Sequence, residues 1–149
     1  MSEHECRVAW ARGKHDFGYE TYSRDHDWHF PSGVEVPASA APSFFGNVDR
    51  VDPEEALVVA LSSCHMLTFL AIAARKQLVV DAYEDHAVGV MEKNGDGKLA
   101  IARVALRPRI TWAGDAPGDA AIDKMHHQAH EHCFIANSVH TEVVVEAPL

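Results

Sequence analysis

Long uninterrupted apolar runs are absent from the sequence. The longest apolar stretch lies within residues 56–74, and Ser62, Ser63, His65 and Thr68 break it. It reads as a buried helix and not as a membrane span. The first residues, Met1-Ser2-Glu3-His4-Glu5, have no basic region followed by an apolar one. The expectation is therefore a cytoplasmic protein. Basic excess is missing too. The net charge is -9 with histidines neutral, which leaves no footprint for nucleic acid or an anionic membrane. Cysteine is scarce, with three widely spaced residues in all. That excludes the dense disulfide framework of a small secreted domain. There is no HExxH, no CxxC, no nucleophile elbow, no internal repeat and no low-complexity segment.

What remains is an ordinary globular composition over 149 residues, read as one domain spanning 1–149. Residues 7–12 and 17–22 read as strands around Gly13-Lys14, and 26–37 as a strand pair turning at Pro31-Ser32-Gly33. Residues 38–51 read as a loop holding Phe44 and Phe45. Asp52-Pro53-Glu54-Glu55 is a helix start: a capping carboxylate, a proline at the first turn, and acids at the positive end. The helix should run to Arg75 or Lys76. Apolar nearly all round, it should be buried on most sides. Strands over 78–92 and 98–112 flank the turn Asn94-Gly95-Asp96-Gly97. A second helix over 119–133 and a strand over 139–146 complete an α+β pattern with mainly antiparallel pairing.

Three groups carry potential chemistry. Cys64 lies mid-helix in Ser62-Ser63-Cys64-His65-Met66, where two hydroxyls and an imidazole surround a thiol. His65 would favour the thiolate if its ring turned to the sulfur, although neighbouring helix residues point about 100° apart. Cys133 ends the second helix in His130-Glu131-His132-Cys133-Phe134. Alone, each cysteine reads as readily as a small buried hydrophobe. Cys6 reads as structural or superficial. His126 and His130 share a helix face, with His127 and His132 nearby, which raises a metal-binding alternative. A hydrolase using Cys64, a histidine and Glu54 is a further option, without an oxyanion-hole signature to support it.

Val51-Asp52-Pro53-Glu54-Glu55-Ala56-Leu57 with Ala60 and Ser62-Ser63-Cys64-His65-Met66 resembles the signature of the OsmC/Ohr family. These are the osmotically inducible and organic hydroperoxide resistance proteins. His130 and Cys133-Phe134-Ile135-Ala136-Asn137-Ser138-Val139 resemble its second-cysteine segment. The resemblance implies long central helices wrapped by antiparallel sheets in an intertwined homodimer, with active sites at the interface. It also implies a peroxidase for organic hydroperoxides, less efficient on hydrogen peroxide. Cys64 would be the peroxidatic thiolate and Cys133 its resolving partner. Glu54 and an arginine would hold thiolate and peroxide, with Arg24 favoured over its rival Arg50. A dithiol, typically a protein-bound dihydrolipoyl group, would restore the thiols, and no further cofactor or metal is implied. His65, Phe134 and the histidine-rich segment depart from the best-known members and leave the substrate open. A non-catalytic stress-related binding or redox-sensing protein on the same fold is the alternative.

One geometric consequence follows. Ten helical residues span about 15 Å. Glu54 and Cys64 therefore cannot meet along one straight helix. Either the helix bends or breaks near its start, or Glu54 serves the site of the other subunit.

Overall fold

The computed structural model describes residues 1–148. Contacts group the chain into two compact units, one of Met1–Ala56 and one from Leu57 onward.

In the first unit, β1 (Arg7–Ala9), β2 (His26–His29) and β3 (Glu35–Ala38) form an antiparallel sheet in that order. The β2–β3 turn is where Pro31-Ser32-Gly33 places it. Gly33 takes φ 84, and Phe30 N donates to Val34 O. Residues 17–22, read as a strand, form turns instead. Thr21 Oγ1 donates to Asp16 Oδ2 and accepts from Gly18 N, so side chains claim the polar groups that a ladder would need. The segment 38–51 is a loop containing a short 3-10 turn, Pro42–Phe44. It folds back tightly: a Cβ on Gly46 would lie 1.5 Å from Ala40 O, so only glycine fits.

Helix α1 (Pro53–Arg75) starts at the capping signal. Asp52 Oδ1 accepts from Glu55 N at 2.8 Å, and Glu55 Oε2 accepts from Asp52 N at 3.1 Å, a reciprocal capping box. By length and composition alone α1 would suffice to cross a membrane. It buries one stripe, Leu61, His65, Phe69 and Ala73, at four-residue spacing. Val59 and Leu67 remain 62% exposed. The expected burial on most sides is thus not met: among the described residues of one chain, the stripe from Leu61 to Ala73 is covered and Val59 and Leu67 are not.

In the second unit the run 78–92 divides into β4 (Val80–Asp85) and β5 (Val88–Lys93). The run 98–112 divides into β6 (Leu99–Leu106) and β7 (Pro108–Trp112). β4 pairs with β7 and β5 with β6, both antiparallel. Asp85 explains the first break. Its carboxylate accepts from Ser62 Oγ and from Arg107 N, which pins the chain where it changes sheet. Gly89 on β5 allows close approach to α1, since a Cβ there would meet Val58 at 2.5 Å. The turn between β5 and β6 is built on Asn94, whose Oδ1 accepts from Asp96 N and Lys98 N. Helix α2 (Asp119–His132) follows, then a 3-10 turn, Ala136–Ser138, and β8 (Glu142–Val145), which pairs parallel to β6. Two apolar clusters form the core. Phe69 and Ala73 of α1 meet Met125 and Ala129 of α2, and Leu61 meets Val104 and Leu106 of β6.

Candidate active site

Cys64 lies one helical turn before Thr68, whose hydroxyl donates to the Cys64 carbonyl at 2.8 Å. Ser62 is engaged by Asp85, and Ser63 Oγ donates to Ala60 O. These hydroxyls serve the backbone and Asp85, not the sulfur. The Cys64 side chain is half-buried, and Cys133 is sealed at 1% exposure. Both thiols are free.

The structure brings these two cysteines together, 69 positions apart in the chain. Cys133 is the C-cap of α2. Burial, and then hydrogen bonding to Cys64, push its thiol up to about 11. Cys133 thus stays a protonated thiol at neutral pH, within hydrogen-bonding reach of the Cys64 sulfur. Ala136 N donates to Cys133 Sγ at 3.4 Å, which partly offsets the burial. Helix α2 and the following 3-10 turn therefore deliver a protonated thiol, oriented by backbone amides, to a thiol on α1.

A cavity of about 870 Å³ opens beside Cys64. Ala60, Leu67, Ala71 and Ile72 of α1 line it, together with Phe134 and Ile135. Phe134 is 82% exposed at its edge. Arg75, Lys76, Gln128 and His132 also border it, but the wall is mostly apolar next to a sulfur, suited to an organic group more than to water.

His65 does not turn to Cys64. It is 1% exposed, and its Nε2 shares a hydrogen bond of 3.0 Å with His126 Nδ1. The rings stack at 5.3 Å, and His126 stacks on Phe69 at 4.4 Å. The 100° offset between adjacent helix residues sends Cys64 to the cavity and His65 to the core. The His65–His126 pairing had no local signal, because its partners lie 61 residues apart. Only the unusual histidine in an apolar helix hinted at it. His127 faces Glu131, and His132, whose Nδ1 is hydrogen-bonded with Gln128 O, lies on the wall of the cavity beside Cys64. Among the described residues no group of three or more His, Cys, Asp or Glu side chains is arranged to hold a metal ion.

The other site candidates lie toward the N-terminus. Arg24 donates to the carbonyls of Tyr22 and Tyr19, and its guanidinium lies 3.7 Å from the Tyr22 ring centroid. Arg50 pairs instead with the carboxylates of Asp25 and Asp27, each at 3.3 Å, and donates to His26 O. Arg50 is thus neutralised by two acids, while Arg24 is held by carbonyls and rings that leave its charge available. Glu54 is half-buried in the first turn of α1. Helix α1 runs unbroken from Pro53 to Arg75, so the break that would bring Glu54 back to Cys64 does not occur.

Comparison with known proteins places this arrangement. The OsmC-like protein family model matches residues 46–147. A solved OsmC-like protein of unknown function from Vibrio cholerae O1 biovar eltor str. N16961 is 48% identical, with TM-score 0.94 and 99% of each chain covered. An organic hydroperoxide resistance protein from Legionella pneumophila shares the fold at 14% identity. Its TM-score is 0.73, with 100% of this chain and 98% of that one covered. One from Elizabethkingia anophelis, with thiocyanate bound, matches at 14% identity and TM-score 0.76 over 99% and 96% of the chains. Among curated proteins none matches significantly. With the family model covering most of its length, the chain belongs to the OsmC-like protein family.

Proposed function

We propose that the protein is a thiol-dependent peroxidase that reduces organic hydroperoxides in the cytoplasm. The observation that carries this reading is the Cys133 thiol held against Cys64 beside an apolar cavity. The Cys64 thiolate attacks the distal peroxide oxygen. The O–O bond breaks, the alkoxide takes a proton and leaves as alcohol, and Cys64 becomes a sulfenic acid. The Cys133 sulfur then attacks the Cys64 sulfur. The S–O bond breaks, hydroxide leaves with the Cys133 proton as water, and a disulfide remains. A dithiol reductant, such as a dihydrolipoyl group, returns both thiols by exchange.

The acting unit is a homodimer in this reading. The apolar face of α1 left open by one chain favours a second copy there, as do Val59 and Leu67. Glu54, about 15 Å along α1 from its own Cys64, then serves the partner's site. Arg24 is the better arginine, because its charge is not spent on a carboxylate. A guanidinium beside the sulfur favours the thiolate.

Steady-state reduction of cumene hydroperoxide and of hydrogen peroxide with dihydrolipoamide tests this. Faster turnover of the organic peroxide is expected, with turnover abolished in Cys64→Ser. In Cys133→Ser a sulfenic acid should be trapped. Absence of peroxide consumption by the fully reduced protein refutes the reading. If apolar ligands nonetheless raise its melting temperature, the cavity supports a non-catalytic binding role instead.

A further inference from the structure

The buried imidazole pair is not used in the chemistry above, yet it joins the two elements that carry the sulfurs. We propose that His65 and His126 are positioning residues for disulfide closure: their shared hydrogen bond holds the Cys64 turn of α1 to the α2 face that ends in Cys133. This rests on the peroxidase reading and adds to it a determinant of the resolving step.

His65 is bonded in sequence to Cys64, so one peptide unit separates the latch from the reacting sulfur. His126 lies seven residues before Cys133, two turns of α2, and so on nearly the same helix face. The 3.0 Å bond between the rings therefore fixes the α1–α2 spacing near the sulfurs. Phe69 closes one side of the pair by stacking on His126, and Met125 and Ala129 pack on Phe69 and Ala73 just beyond. An apolar side chain would fill this space as well. Imidazoles add direction, since a hydrogen bond is lost within a few tenths of an ångström where dispersion contact is not.

That direction matters for the second step. A disulfide needs its two Cα atoms within about 7 Å and a restricted dihedral angle. Attack of the Cys133 sulfur on the Cys64 sulfenic acid, with water leaving, is thus sensitive to helix spacing. Attack of Cys64 on a peroxide entering from the cavity is not, because the peroxide is mobile. The latch should control closure and leave oxidation nearly untouched.

Single-turnover reaction of the reduced protein with cumene hydroperoxide separates the two steps. Sulfenic acid is read by dimedone trapping, and disulfide by intact mass after alkylation. In His126→Phe, which keeps the stacking and loses the hydrogen bond, closure should slow about tenfold, the worth of one net hydrogen bond. The sulfenic acid should then accumulate while the oxidation rate stays within about twofold. In His126→Asn the side-chain amide lies near the original Nδ1, and closure should recover. The latch is overturned if closure in His126→Phe matches wild type, if both steps slow by one common factor, or if His126→Asn is as slow as His126→Phe. Failure of the wild type to form a sulfenic acid refutes the peroxidase reading itself, whereas a wild type that cycles with unresponsive variants removes only the latch.

Discussion

Phe69 and Trp10 are both large aromatic side chains, yet Phe69 is fully sealed and Trp10 is 43% exposed. The contrast extends to the units around them. From Leu57 onward, the large buried aliphatic and aromatic side chains Leu61, Phe69, Val104, Leu106 and Met125 sit in two apolar clusters between helices and sheets. In Met1–Ala56 the fully buried residues are Ala38 and Ser39. Order there comes from polar anchors and ring contacts. Asn47 Nδ2 donates to Asp25, and Asn47 N donates to Ser39 Oγ. Trp10 Nε1 donates to Ser23 O, with Phe17 and Tyr22 packed against its ring. The second unit is held by burial, which is insensitive to direction. The first is held by many short directional contacts, each weak in water. In the proposed mechanism the sulfurs lie in the unit held by burial, and the arginine in the unit held by directional contacts.

The largest test of this contrast is truncation of the two rings. Phe69→Ala should cost about 3–5 kcal/mol, because it opens a cavity where Tyr83, Trp112 and His126 all pack. Trp10→Ala should cost about 1 kcal/mol, mainly its hydrogen bond and half-exposed ring contacts. Urea titration of both variants measures the difference. Equal losses would show that the exposed aromatic cluster is as cohesive as the core.

Acid should separate the regions next. Burial, then His126 and His130, depress His65 to about 4, and burial likewise depresses His126. Asp123 and Asp85 act on His126 in the opposite sense. An unfolded histidine takes its proton near 6.5. The unfolded chain therefore binds protons first as pH falls. Stability present above pH 6.5 is lost progressively down to about 4. Asp25 behaves differently. Burial raises it, but hydrogen bonds from Asn47 and Ser39 and the charge of Arg50 outweigh this, and it ends below its usual 3.8. Its contribution persists until the pH falls below that value. Hydrogen exchange along a pH series should show α1 and α2 losing protection between pH 6.5 and 4, before the Asp25–Asn47 contact opens. Simultaneous loss would mean that the two units unfold as one.

How far the sequence foretold these regions follows the same division. The start of α1 was legible because Asp52, Pro53 and Glu55 act within one turn. The turns at Gly33 and Asn94 were legible for the same local reason. Residues 17–22 were not. Their aromatic–polar alternation resembles a strand, but Thr21 and Asp16 close a turn and the rings pack sideways on Trp10. The division of 78–92 needed Asp85 to find Ser62 across 23 residues. Family resemblance singles out Cys64 and Cys133 as candidates, but not the imidazoles that link their helices. A hydrogen bond between residues 65 and 126 leaves no periodic trace.

At an intermediate scale, Asp52→Ala removes one side of the capping box and should cost about 1 kcal/mol. Thermal unfolding measures it, and Asp52→Asn should recover most of the loss.

The smallest expected effect distinguishes the two arginines. Arg50→Met removes two ion pairs whose partners are 35% and 51% exposed. Exposed pairs of this kind contribute about 0.2–1 kcal/mol, and these two share one guanidinium and do not add, so a loss of about 1 kcal/mol or less is expected. The aliphatic stem is retained, and peroxidase turnover should change little. Arg24→Met removes contacts to the Tyr19 and Tyr22 carbonyls and a cation over an aromatic ring. Its stability cost should be similar in size. The two variants should diverge in kcat/KM for an organic peroxide, which should fall at least tenfold more in Arg24→Met. If the fall is larger in Arg50→Met, the charge already neutralised by Asp25 and Asp27 must be released in the assembled site. The directional network around Asn47 would then be part of the catalytic cycle and not a fixed support.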